Sequence, residues 1–284
     1  MDISVFSLLS YFIIYSFLGW ILESVFRSFC EKRIINTGFL IGPFCPIYGS
    51  GALIMLLTMG QLKGNYVLIF VISVLMLTFW EYIVGVFLEK VFKTKYWDYS
   101  DHKIQFQGRI CLTNSIAWGF LGVGFINIIH PFLISVLDII NPEVFKIIIY
   151  TATGIVILDT IVSIIKVKHI KIKLNKVEEL NEQIKQKMAE LKGKVQEKSE
   201  NVLDDNEKNT DIEEKNKDKN KMAENVQSAI KELKMKRDKM FDKLYKYVER
   251  LKSAFPKINS KEITEVLNKK ITLKKKETEE KRRK

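Results

Sequence analysis

Four carboxylates fall inside otherwise apolar stretches of the chain: Glu23, Glu81, Glu89 and Asp159. An ionisable group near the centre of a bilayer costs about 3 kcal/mol, so such groups turn toward a bundle interior or a polar cavity. Glu23 and Glu89 each precede a basic residue by four positions, Arg27 and Lys93. Pairs at that spacing can neutralise one another and snorkel to the interface. Asp159 has Lys166 two turns further on. Glu81 is different, because no basic residue lies within four positions of it. That pattern fits a protonated or inter-helix-bonded carboxyl in a polar path. With Arg109 as a counter-charge at the mouth, the five residues read either as a substrate path or as a structural polar network.

Other chemistry finds little support. The three histidines, His102, His130 and His169, form no H-E-x-x-H and no Ser–His arrangement. Cys30, Cys45 and Cys111 match no zinc spacing. No catalytic residue, metal or cofactor is expected, and the chain does not read as an enzyme. The phosphate-cradling G-x-x-x-x-G-K-[ST] is also missing, which would put any nucleotide site on another chain.

The acids must be positioned by membrane helices. A helix crosses a bilayer core with about 20 mainly apolar residues. Five stretches qualify: Ile3–Phe26, Phe44–Leu62, Tyr66–Leu88, Leu112–Ile129 and Val144–Ile165. The run Phe132–Ile140 is too short and reads as the end of helix four or as an interfacial helix. The chain starts Met1-Asp2 without a basic segment, so the first apolar run is expected to be a retained span. Arg27, Lys32 and Arg33 follow helix one, and Lys90, Lys93, Lys95, Lys103 and Arg109 follow helix three. Basic short loops mark the cytoplasmic side, which puts the N-terminus outside and the C-terminus inside a cell membrane crossed several times.

A shift of 66 residues lays Gly19-Trp-Ile-Leu-Glu-Ser-Val-Phe-Arg-Ser28 over Gly85-Val-Phe-Leu-Glu-Lys-Val-Phe-Lys-Thr94. The same shift lays Gly42-Pro-Phe-Cys45 over Gly108-Arg-Ile-Cys111. The expectation is a tandem two-helix repeat whose copies run parallel.

Several motifs in order carry a family resemblance. They are Gly19-Trp20-x-x-Glu23, then Gly42-Pro43-x-x-Pro46-Ile47-Tyr48-Gly49-x-Gly51, then Trp97-Asp98-Tyr99-Ser100 and Gly108-Arg109-Ile110-Cys111. Over roughly residues 5–165 the chain resembles the ABC-transporter type IV (CmpB-like) family of bacterial membrane proteins. The resemblance implies a permease-like subunit that works with a separate ATPase, and it brings no established set of functional residues.

Residues 166–284 carry the whole net charge of +12, because residues 1–165 hold ten basic and ten acidic side chains. The stretch divides into a juxtamembrane coiled-coil helix at 167–196, a disordered linker at 197–220, a second coiled-coil helix at 221–254, and a short helix with a basic end at 255–284. Heptads run through Ile170, Leu174, Val177, Asn181 and Ile184, and through Val226, Ile230, Leu233, Arg237 and Met240. They predict an antiparallel hairpin, or pairing between chains in a homo-oligomer or with partner helices. Lys166, Lys168, Lys171 and Lys173 suit anionic lipid. Interspersed acids and few aromatics argue against nucleic acid. The fold class expected is therefore all-α: residues 1–166 as a polytopic bundle of about five helices, followed by a cytoplasmic coiled-coil tail. A scaffold acting through that tail is the rival to transport.

Overall fold

The computed structural model describes residues 4–201 and 211–282. They divide into two compact units, one of residues 1–168 with 249–264 and the other of residues 169–248 with 265–284.

In the first unit, α1 (Val5–Glu31) starts where Ser4 accepts the Ser7 N–H and stops at Lys32, which turns into the left-handed region at φ 52°. An irregular segment then leads to α2 (Pro46–Met59), whose first-turn proline needs no donor. After α3 (Tyr66–Phe92), a small antiparallel hairpin of β1 (Gln105–Phe106) and β2 (Ile110–Cys111) delivers the chain to α4 (Leu112–Gly124). A π-helical turn, Phe125–Ile129, joins α4 to α5 (His130–Leu137), and α6 (Pro142–Asn201) follows. Pro131 has no N–H to give the preceding turn, and the wider π turn absorbs that loss. Leu112–Leu137 is thereby one apolar run, and Phe132–Leu137 is the end of helix four.

Among the described residues, four helices are long and apolar enough to cross a membrane: Val5–Glu31, Tyr66–Phe92, Leu112–Leu137 and the apolar part of Pro142–Leu191. The expected second crossing is a shorter apolar helix, Pro46–Leu62. Its α-helical part has 14 residues, about 21 Å at 1.5 Å per residue, against a core of about 30 Å. It is short because Phe44 and Cys45 belong to the irregular segment and Gly60–Leu62 tighten into a 3-10 turn.

Side-chain pairs fix the direction of each helix. Gly19 lies against Tyr48 and Ser16 against Gly49, so α2 runs opposite to α1. Ser50 meets Trp80 while Met59 meets Ser73, so α3 runs opposite to α2. Glu81 meets Asn114 and Ser73 meets Gly122, which reverses α4 against α3. Phe6 packs on Phe145, and Ile13 shares a core with Ile149 and Val156, so α6 runs with α1. The segments that coincide at a 66-residue shift occupy like places, since α2 begins after Cys45 and α4 after Cys111.

In the second unit, α6 continues beyond Lys168 and α7 (Asp211–Ala254) packs back on it. Ile184, Val226 and Ile230 share a core with Leu191 and Leu233. Arg237 donates to Asn181 at 3.2 Å, so the two helices are antiparallel within one chain. The final helix, α8 (Lys261–Arg282), ties to this pair through Lys269–Glu178 and Lys270–Asp242. Of the expected linker at 197–220, residues up to Asn201 and from Asp211 are helical, and 202–210 lie outside the described residues. The Lys, Glu and Asp content that suggests a linker is equally compatible with an exposed helix.

Close approach of α1 and α2 depends on Gly49, because a Cβ there would overlap Ser16 Oγ and the carbonyl oxygen of Phe12. Gly49→Val is expected to destabilise the bundle by about 1–3 kcal/mol, the range for overpacking. Gly154→Ala, in a helical position with open space around it, should leave the melting temperature in detergent unchanged or slightly raised.

Candidate functional site

A cavity of about 460 Å³ opens into the first unit, with Glu23 of α1 and Glu81 of α3 in its wall. Aromatic side chains make up much of the remainder: Tyr48, Trp97, Tyr99 and Trp118.

Glu81 is only 5% exposed, and every hydrogen bond to its carboxyl comes from a neutral donor. Tyr99 Oη donates to Oε1 at 3.0 Å. Asn114 Nδ2 reaches both oxygens, at 2.8 and 2.9 Å. Trp118 Nε1 donates to Oε2 at 2.9 Å. Asn114 and Trp118 are four apart in α4 and so share a face. Burial and the neighbouring Glu81 charge push the Tyr99 hydroxyl up, so it keeps its proton and remains a donor. Glu23 is hydrogen-bonded by Tyr48 and lies 3.9 Å from Cys45 Sγ.

The other sequence candidates sit elsewhere. Arg109 clasps Glu89 Oε2 through Nη2 at 2.7 Å and Nε at 3.1 Å, and Gln107 also holds it. Arg109 is not among the residues lining the Glu81 cavity, and Glu89 pairs with it rather than with Lys93. Arg27 does line the cavity, pairs with Glu31 at 3.2 Å and lies within electrostatic reach of Glu23. Asp159 accepts the backbone N–H groups of Gly42 at 2.7 Å and Ile41 at 3.2 Å, with Ser163 Oγ at 3.3 Å. It anchors the irregular segment to α6. Among the described residues no His/Cys/Asp/Glu group is arranged to hold a metal.

Of the motif residues, Glu23, Ile47, Tyr48, Trp97, Asp98 and Tyr99 line the cavity, and others hold the backbone around them. Trp20 Nε1 donates to Asn36 Oδ1 at 2.7 Å, and Gly19 makes room for the Tyr48 ring. Gly42 gives its N–H to Asp159, and Gly51 faces Leu77. Trp97 Nε1 donates to the Arg109 carbonyl at 2.9 Å, and the Tyr99 N–H to that of Gly108 at 2.8 Å. Gly108 itself has φ +66°, where a side chain would meet Asp98 and Ser100.

Residues 249–264, far away in sequence, close one side of the cavity. Phe255 and Pro256 line it, Phe255 packs edge-on against Tyr96, and Lys257 pairs with Asp101 at 2.8 Å. Lys95 and Asn259 exchange two backbone hydrogen bonds of 3.0 and 2.9 Å. Arg250 donates to the carbonyls of Leu40 and Gly38, and Arg33 to Ser253 Oγ. Sequence reasoning missed this strap and the donors Asn114 and Trp118. Their only signal was two polar-tipped residues four apart at the start of an apolar run.

Asn259→Pro removes one donor of the Lys95 bridge, so trypsin should cut after Lys257 faster than in the wild type. Equal cleavage rates would show that the bridge does not hold the strap. Asp98 supplies a pH test. Burial alone would raise its carboxyl, but the Ser100 hydroxyl, the Lys95 ammonium and the Ser100 N–H together hold it below the usual range. Its contribution to stability is present above an unfolded value of about 3.9 and is lost as the pH falls through the lower folded value. The melting-temperature gap between wild type and Asp98→Asn should hold at neutral pH and close below about pH 4.

No curated protein and no solved structure matches the chain. The family model described as "Putative ABC-transporter type IV" matches residues 10–164, more than half of the length. With that match and its apolar helices, the chain belongs to that family of membrane proteins.

Proposed function

We propose that the chain is the permease-like subunit of an ABC-type transporter, with a substrate path between two parallel helix-pair repeats, α1–α2 and α3–α4. The observation that carries this reading is Glu81, a buried carboxyl held by three neutral donors and facing an open cavity between those pairs. The recurrence of Gly, Glu and Cys at a 66-residue shift, and the matching starts of α2 and α4, support the duplication. α2 serves as the fifth crossing, its shortfall covered by the irregular segment pinned to Asp159. The N-terminus is then outside, and the basic loops and tail are cytoplasmic. Nucleotide hydrolysis falls to a partner ATPase gripping those loops, and this chain performs no chemical step of its own. Glu23 shares the path, while Glu89, Arg109 and Asp159 hold the loops around it.

Glu81→Gln is expected to abolish transport while leaving membrane abundance intact, as measured by uptake into cells and quantitative blotting. Full activity of that variant would remove Glu81 from the path. Purification from the native membrane should bring an ATPase along.

The second reading, a membrane scaffold, is favoured by the separate core that α6 and α7 form around Ile184 and Ile230. Ile184→Asp with Ile230→Asp would then destroy function, whereas a permease would keep most of its uptake.

A further inference from the structure

The charged groups in the cavity wall are not equivalent. Asp98 is paired with Lys95 at 2.9 Å, Arg27 with Glu31 at 3.2 Å, and Lys257 with Asp101 at 2.8 Å. Glu81 remains with only hydroxyl, amide and indole groups as hydrogen-bonding neighbours, and Glu23 with a hydroxyl and a thiol, the Arg27 guanidinium lying within electrostatic reach of it. A carboxylate only accepts, and the contacts to Glu81 occupy both of its oxygens with donors. That side chain can therefore offer a ligand its charge but little further hydrogen bonding. The rest of the wall is largely π-surface, from Tyr48, Trp97, Tyr99 and Trp118. Aromatic faces attract cations, and a desolvated cation gains most.

We infer that the cavity binds a small organic cation of the quaternary ammonium class, recognised by the charges of Glu23 and Glu81 and by the surrounding aromatic rings. Such a head group has no N–H to donate, so it needs no free acceptor on Glu81. Its methyl groups suit an aromatic wall, and a cavity of about 460 Å³ is of small-molecule size. An anion would meet two carboxylates. A neutral molecule of the same shape would forgo the charge. The inference rests on the permease reading for its biological meaning, but binding is measurable without transport.

The test uses the full chain in nanodiscs and its tryptophan fluorescence, to which Trp97 and Trp118 of the cavity wall contribute beside Trp20 and Trp80. The probes are tetramethylammonium, tert-butyl alcohol as its neutral counterpart, and acetate as an anion. Tetramethylammonium should produce a saturable change at concentrations at least tenfold lower than tert-butyl alcohol, and acetate should produce none. Glu81→Gln and, separately, Glu23→Gln should each weaken tetramethylammonium binding about tenfold or more. Glu89→Gln, whose carboxylate is clasped by Arg109 away from the cavity, should not. Equal responses to the cation and the neutral probe in the wild type would overturn the inference, whatever the variants do. So would an unchanged affinity in both folded Glu→Gln variants. If tetramethylammonium binds but Glu81→Gln leaves uptake untouched, the site stands and the transport reading falls. If Glu81→Gln stops uptake but no cation binds, the transport reading stands and the inference falls.

Discussion

A carboxylate within apolar helices can be tolerated only if donors reach it, and Glu81 makes that demand on three elements. α4 must start at Leu112 so that Asn114 and Trp118, one turn apart, face α3. The loop after α3 must return over the helix so that Tyr99 closes the set. That return is held by the β1–β2 hairpin, the Tyr99–Gly108 backbone bond and the Trp97–Arg109 carbonyl bond. Close contact of α4 with α3 relies on Gly119 and Gly122, where side chains would strike Phe70 and Ser73. The hydrogen-bonding demand of one side chain thus accounts for the placement of a loop, a hairpin and a helix start.

The four intramembrane acids look alike in the sequence and are solved differently in the fold. Counting four residues forward from Glu23 and Glu89 finds a base each time, yet Arg27 acts on Glu23 only through space and Glu89 takes a partner other than Lys93. Lys93 is the left-handed cap that ends α3, so it does not continue the helical face on which Glu89 sits. Glu89 takes Arg109 instead, twenty residues on and brought back by the hairpin. Arg27 reaches forward to Glu31. Asp159 needs no base at all, because two backbone N–H groups satisfy it. Helical spacing proposes neighbours, while caps and loop returns choose the partners, and those are tertiary facts.

Patterns with a period were the legible part. The apolar runs located α1, α3, α4 and the start of α6, and helix two fell short where Asp159 and Pro46 fix the preceding backbone. The heptads of the tail gave more than their apolar positions. Each had one polar exception, Asn181 and Arg237, and the two exceptions meet at 3.2 Å. Placed opposite each other they satisfy one another, and a shift of either helix would leave one polar group among apolar side chains. Such a pair favours one register.

The strap was not legible for a reason of a different kind. Residues 249–264 run across the helix end expected at residue 254, and that break announces a turn but not a role in the cavity. Their partners, Gly38, Leu40, Tyr96 and Asp101, lie about 150 residues or more away. Closing so long a loop costs little more entropy than closing a shorter one, since the cost grows only with the logarithm of length. Two backbone hydrogen bonds, an aromatic edge contact and the burial of Ile258 and Ile263 oppose that cost. The boundary expected at residue 166 is thus where the apolar run ends, not where the cavity's own chain ends.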